Sequence, residues 1–362
     1  MSARSSGRVL PGAPFPRPLP PKSGEGEESL PLPFASPPFP RFRGKGWGWG
    51  LNGVLVASLG LLSGCASFYK GAMPGEPKDA TFATIRGARV RYVDKGDGPP
   101  VVLVHGFASA IEAWSGVIPE LSKTHRVIAL DLKGFGWTDR PEGDYSPEEE
   151  ARIVLELMTQ RGIDKAAIVA HSWGSSIALA AAMAQPARVS RLALYDAWVY
   201  EEQLPTFFHW SRADGLGETL FAGWYSERPD ERIAMAFYDK RWVTEALVES
   251  VEDALDRPGT VAAALAGVRG MHYAQTQDKY RTIKIPTLLL WGREDQVTPL
   301  PFGERLSREL PQSKLVVYPL CGHFPMIEAL AASNADLSAF LAEEPAAVAL
   351  PKVKDAAASD GT

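Results

Sequence analysis

Ala167-Ile168-Val169-Ala170-His171-Ser172-Trp173-Gly174-Ser175 decides the fold, because an apolar run ends on a serine and passes straight into a small-residue stretch, Ser175–Gln185, with helical spacing. A run apolar on both faces belongs in a buried parallel sheet. A sharp turn from such a strand into a helix lifts the serine hydroxyl out of the sheet and directs the first-turn N–H groups and the helix dipole toward it. The pattern departs from G-x-S-x-G only at its first position, where Ala170 replaces glycine. A serine at a strand-to-helix junction is also an ordinary N-cap, so the rest of the chain has to decide its role.

Working outward, the same kind of run recurs at Val101–Val104, Val127–Leu130, Leu192–Leu194, Thr287–Leu290 and Leu315–Tyr318, separated by helix-compatible stretches such as Pro147–Arg161. Thr81–Arg86 and Arg89–Val93 read as an antiparallel opening. The alternation predicts an α/β fold with a doubly wound, mostly parallel sheet, whose ligands sit at the carboxyl ends of the strands. It is interrupted once. Residues 200–281 carry no convincing strand and many aromatic residues, among them Phe207, Phe208, Trp210, Phe221, Trp224 and Tyr225, which predicts an inserted helical cap. The core is then 81–199 and 282–342, with 343–362 as a flexible tail.

Three strand ends carry the remaining chemistry. His105-Gly106-Phe107 follows the run 101–104, where the Phe107 N–H and the Trp173 N–H are placed to form an oxyanion hole. His105 precedes the serine in the chain, so a supporting role suits it better than that of a base. Asp295 sits in the loop after the run 287–290, and His323, in Cys321-Gly322-His323-Phe324-Pro325, follows the run 315–318. The order serine, aspartate, histidine is that of this kind of sheet and not of the chymotrypsin or subtilisin arrangements. Asp196, after the run 192–194, is the alternative acid; Asp295 is favoured. Cys321 lacks an elbow and reads as a packing residue.

From about residue 81 to 342 the chain resembles the α/β-hydrolase superfamily: His105-Gly106-Phe107, the run Asp131–Arg140, the Ser172 elbow, the Asp295 loop and Gly322-His323 fall in its order and spacing. The resemblance implies Ser172 as nucleophile, His323 as general base, Asp295 as orienting acid and an acyl-enzyme, with no metal and no organic cofactor. Trp173 is similar to the halide-holding tryptophan of haloalkane dehalogenases, but those enzymes and the epoxide hydrolases attack through an aspartate. The Ser172–Ser175 string is also similar to proline iminopeptidases, with no second string to support a peptidase. The expected reaction is cleavage of a carboxylic ester of an apolar or aromatic substrate. The alternatives are carbon–carbon bond hydrolysis of a ketone or acyl transfer on the same triad, and, from another class, an inert scaffold used for binding.

The first 65 residues read as addressing. Residues 11–40 hold eleven prolines, so 1–40 is expected to be disordered, or to follow from a start placed too far upstream. Arg41, Arg43 and Lys45 then precede the largely apolar stretch Trp47–Leu62, the layout of a signal peptide over 41–64. Its end, Leu62-Ser63-Gly64-Cys65, resembles the bacterial lipobox, which implies export, diacylation of Cys65 and a lipid anchor in the membrane, the outer one if there are two, since Ala66 is not aspartate. A short signal anchor is the plainer reading, but the run falls below the ~20 residues a span needs. Residues 65–80 are expected to be a linker. Beyond residue 65 the chain has 31 Lys/Arg against 40 Asp/Glu, which argues against a nucleic-acid partner. Two cysteines exclude a disulfide framework or a thiolate zinc site.

Overall fold

The computed structural model describes residues 67–343. The expected disordered start, signal peptide, Cys65 and the tail beyond Glu343 lie outside the described residues.

Eight strands form one sheet: β1 (Thr81–Ile85), β2 (Ala88–Lys95), β3 (Pro100–Val104), β4 (Arg126–Leu130), β5 (Ala166–His171), β6 (Val189–Tyr195), β7 (Thr287–Gly292) and β8 (Ser313–Tyr318). Their order is β1-β2-β4-β3-β5-β6-β7-β8. β1 and β2 pair antiparallel and β2 meets β4 antiparallel; every other pair is parallel. This is the α/β-hydrolase arrangement of a mostly parallel sheet.

Alternation along each strand feeds two cores. Val102, Val104, Ile168, Ala170, Leu192, Leu194 and Leu289 face one side. Val101, Leu103, Ala167, Val169, Ala193, Leu288 and Leu290 face the other. All six residues of β5 and all six of β7 are buried, as expected for strands covered on both faces.

Helices α1 (Ile118–Leu121), α2 (Pro147–Gln160) and α3 (Trp173–Ala184) lie between β3 and β6 in the chain. The side chain of Ser146 caps α2 by accepting the Glu149 N–H, with Pro147 in the first turn and three glutamates behind it, each suited to a helix start. The inserted cap is helical: α4 (Thr206–Ser211), α5 (Leu216–Trp224), α6 (Pro229–Ala236), α7 (Glu245–Asp256) and α8 (Thr260–Gly270). After β7 come α9 (Leu300–Glu309), α10 (Pro325–Glu328) and α11 (Leu330–Ala342).

The stretch 67–80 differs from the linker expected of it. Tyr69 and Arg140 exchange two main-chain hydrogen bonds of 2.8 Å, Gly71 N–H donates to Asp139 Oδ1 at 2.9 Å, and Met73 is buried. The physical cause is Arg140, whose buried guanidinium donates to the Thr138 and Gly136 carbonyls and meets the Met73 sulfur. No helix among the described residues is long and apolar enough to cross a membrane.

Candidate active site

Ser172 stands between β5 and α3 with φ +51° and ψ −123°. A non-glycine residue there stores on the order of 1–3 kcal/mol of strain and persists only where its surroundings over-determine it. They do: Ser172 N–H donates to the Tyr195 carbonyl at 2.9 Å, and the Ser172 carbonyl accepts from Ser175 and Trp198 at 2.9 and 3.1 Å. Gly174 lets α3 approach β3, since a Cβ there would stand 2.5 Å from the His105 carbonyl oxygen and 2.6 Å from that of Val104. Gly106 is nearly as close to the elbow; its Cβ would lie 3.0 Å from the Ser172 Cβ.

The two N–H groups expected to face an oxyanion are available. Trp173 is the first residue of α3, so its N–H has no partner within the helix. The Phe107 N–H makes no main-chain bond among the described residues.

His323 enters from the loop after β8. Its Nδ1 lies 2.8 Å from Asp295 Oδ2, and both side chains are buried. Asp295 is held by four bonds: Oδ1 accepts the Val297 and Thr298 N–H groups, and Oδ2 accepts the Thr298 hydroxyl at 2.6 Å besides the imidazole. Burial alone would raise its pKa, but the His323 charge and these bonds outweigh burial and hold the carboxyl down at about 2. It is ionised and acceptor-only at neutral pH. Of the two aspartates considered from sequence, Asp295 therefore bonds the imidazole. Asp196 instead accepts the Gly292 N–H at 2.9 Å.

His323 and Ser172 meet through a neighbour. His171 Nε2 lies 2.8 Å from the His323 carbonyl oxygen, so the residue before the serine ties down the loop that carries His323. No hydrogen bond joins Ser172 Oγ to His323 among the described residues; such bonds commonly tighten only when substrate is present.

His105 is fully buried, with Nδ1 2.7 Å from the Gly106 carbonyl and Nε2 accepting the Leu132 N–H at 2.9 Å. Burial lowers its pKa. It joins the loops after β3 and β4, a supporting position. The run Asp131–Arg140 is likewise a scaffold: Asp131 accepts the Ile111 and Trp137 N–H groups, each at 2.8 Å, and pairs with Arg91. Cys321 is buried, and burial pushes its thiol pKa up, which leaves it protonated and unreactive.

The cap closes over Phe107. Its ring lies 5.9 Å from Trp173, 5.6 Å from Phe208 and 6.4 Å from Tyr225, and Phe208 stacks on Trp198 at 5.8 Å. Phe208 of α4 and Tyr225, which caps the end of α5, thus turn toward the elbow, while Trp210 and Trp224 face outward. The surroundings of the serine are aromatic, and sequence spacing alone did not separate the inward residues from the outward ones. His171 and Trp198 were missed from sequence. The signal for each was adjacency: one precedes the serine, the other follows the end of β6.

Comparison with known proteins agrees with this fold. The family model described as alpha/beta hydrolase fold matches residues 99–234 and 248–330. The chain is 34% identical over 254 residues to 2-hydroxy-6-oxo-2,4-heptadienoate hydrolase of Pseudomonas putida F1, covering 67% of this chain and 88% of the relative. It is 32% identical over 275 residues to 2-hydroxymuconate semialdehyde hydrolase of Pseudomonas sp. CF600, covering 72% and 93%. Among solved structures, a meta-cleavage product hydrolase from Pseudomonas fluorescens IP01 complexed with acetates superposes with a TM-score of 0.63 at 30% identity, over 73% of this chain and 97% of that one.

Proposed function

The chain belongs to the α/β-hydrolase family, and from that premise we propose that it hydrolyses a carbon–carbon bond beside a ketone in a small, largely apolar dienoate. The observation that carries the chemistry is the strained elbow of Ser172 beside a histidine bonded to a buried, ionised aspartate. The carboxylic ester placed first from sequence gives way to its carbon–carbon alternative, because the relatives named above act on 6-oxo dienoates and semialdehydes.

Both reactions begin alike. His323 accepts the Ser172 proton as Oγ attacks the carbonyl carbon, and the Phe107 and Trp173 N–H groups stabilise the oxyanion. Asp295 keeps the Nδ1 proton in place and stabilises the imidazolium. They part at collapse: the bond to carbon breaks instead of a bond to oxygen, and the imidazolium proton passes to the departing carbon. Water, deprotonated by the same histidine, then cleaves the acyl-enzyme and releases a carboxylic acid. The aromatic surroundings formed by Phe107, Trp173 and Phe208 suit an apolar chain.

The test sets 2-hydroxy-6-oxohepta-2,4-dienoate beside a series of chromogenic esters. The expected result is a higher kcat/KM for the dienoate, with loss on the order of 10⁴-fold or more in S172A. A higher kcat/KM for any ester overturns the carbon–carbon reading. Failure of a fluorophosphonate probe to label Ser172 in folded protein overturns the enzyme reading in favour of a binding scaffold.

The same proposal places the enzyme outside the cytoplasm on a lipid anchor at Cys65, supported by the Leu62–Cys65 string. Full-length protein is expected in the membrane fraction after carbonate washing and C65A in the soluble one; C65A that stays wholly with membranes overturns it.

A further inference from the structure

Beside Asp295 and His323 lies a second carboxyl group for which the reaction above has no role. Asp196 follows β6, is fully buried, and sits in the left-handed region at φ +42°. Its Oδ1 accepts the Gly292 N–H, whereas its Oδ2 has no hydrogen-bond partner among the described residues. One polar atom from each of Asp196, Asp295 and His323 falls within 4.8 Å of the other two.

Two ionised carboxylates at that range in a dry interior repel each other. Each buried charge without its own counter-ion is strongly disfavoured, and one of the two groups then keeps its proton. The single imidazole is already bonded to Asp295. The Thr298 hydroxyl has one proton and lies within reach of two acceptors, 2.6 Å from Asp295 Oδ2 and 3.1 Å from the Asp196 carbonyl. It cannot serve both. No described cation pairs with Asp196: the other titratable groups that act on it or are acted on by it, Glu328, the Cys321 thiol and the buried Tyr195 phenol, are neutral or acidic. Burial first, and then the negative charge of Asp295, push the Asp196 carboxyl well above the ordinary carboxylate range.

We propose that Asp196 carries a proton on Oδ2 and donates it to the Asp295 carboxylate, as a positioning residue for the acid that orients His323. The cluster then holds one negative charge, on the carboxylate that faces the imidazole. The neutral acid satisfies its own orphaned oxygen and adds a donor to Asp295 beside the Thr298 hydroxyl that already bonds it at 2.6 Å. The kinetic part of this inference rests on the triad proposed above; the protonation of Asp196 in the resting protein does not.

The experiment therefore reads protonation directly. Burial also holds the Glu150 carboxyl up at about 8, so infrared spectra of full-length protein at pH 7 are compared as wild type minus D196N, in which Glu150 cancels. The difference should show the carbonyl stretch of a protonated carboxylic acid, shifting in D2O, and so should S172A minus S172A/D196N. Because S172A does not turn over, this result is independent of the triad. In kinetics, D196L has no donor and should lower kcat on the order of 10²-fold with little change in KM and a shifted acidic limb of kcat/KM. D196N, whose amide can donate the same bond and which tolerates the left-handed backbone, should restore most of that loss together with the limb. Absence of the carboxylic-acid band overturns the proposal. So does a D196N variant that falls as far as D295N, since Asp196 would then act as an ionised acid. If D196L does not fold, the band and the D196N to D295N comparison decide the matter.

Discussion

His171 Nε2 and the main-chain carbonyl of His323 are 2.8 Å apart, and the two imidazole rings lie 4.7 Å from each other. A carbonyl only accepts, so the His171 proton is on Nε2. The residue before Ser172 thus holds the loop that carries His323, across 152 residues of chain. H171F keeps a ring but loses the bond, and a base displaced by even an ångström can cost on the order of 10²-fold in rate. The expected outcome is a fall of that order in kcat, with recovery of part of it in H171Q. Steady-state kinetics on the dienoate, with thermal melts to verify folding, check it.

The same histidine gives the fold a pH dependence of definite sign. Burial lowers the pKa of both His171 and His105 from an ordinary 6.5. Below 6.5 the unfolded chain takes up protons that the folded chain refuses. Their contribution to stability is therefore complete above 6.5 and declines as pH falls below it, by about 1.4 kcal/mol per pH unit for each histidine until its folded-state pKa is reached. Urea midpoints should drop between pH 6.5 and 5.5, and H171Q should halve this part of the slope.

Gly174 is where the elbow and the sheet press closest. Because the atoms facing its missing Cβ are the main-chain carbonyls of Val104 and His105, nothing flexible can yield. G174A should cost about 1–3 kcal/mol or more of stability, read as a lowered Tm. It should also lower kcat, since α3 must move away from β3 and take the Trp173 N–H with it.

All eight strands and the serine, aspartate, histidine order were legible in the sequence, because runs apolar on both faces and turn glycines are local signals. What escaped was long-range pairing. Tyr69 and Arg140 meet through main-chain bonds that no spacing encodes, so 67–80 read as a linker. The cap was legible as helical and aromatic, yet the inward turn of Phe208 and the outward turn of Trp210 depend on contact with Phe107 and Trp198 in another part of the chain. The sequence favours Asp295 over Asp196, but both follow strands at the same edge of the sheet, and the contact that separates them, His323 Nδ1 at 2.8 Å from Asp295, is a long-range one.

Asp295 offers the sharpest test of the triad. In D295N the Val297 and Thr298 N–H groups, which bond Oδ1 at 2.7 and 3.1 Å, will keep the amide oxygen on their side and turn the NH2 toward His323. An NH2 cannot accept the Nδ1 proton. The imidazole then moves its proton to Nε2, the atom that must receive the proton of Ser172, and general-base catalysis stops while the shape of the site is kept. The expected loss is on the order of 10⁴-fold in kcat, with little change in KM. Acid stability separates this from simple damage. The wild-type carboxyl titrates at about 2 when folded against an ordinary 3.8, so its contribution is present above 3.8 and is lost as pH falls through 2, about 2 kcal/mol in all. D295N lacks that group, so its unfolding free energy should vary less than that of wild type between pH 4 and 2. Equal slopes for the two proteins would mean that Asp295 is not the ionised partner of His323.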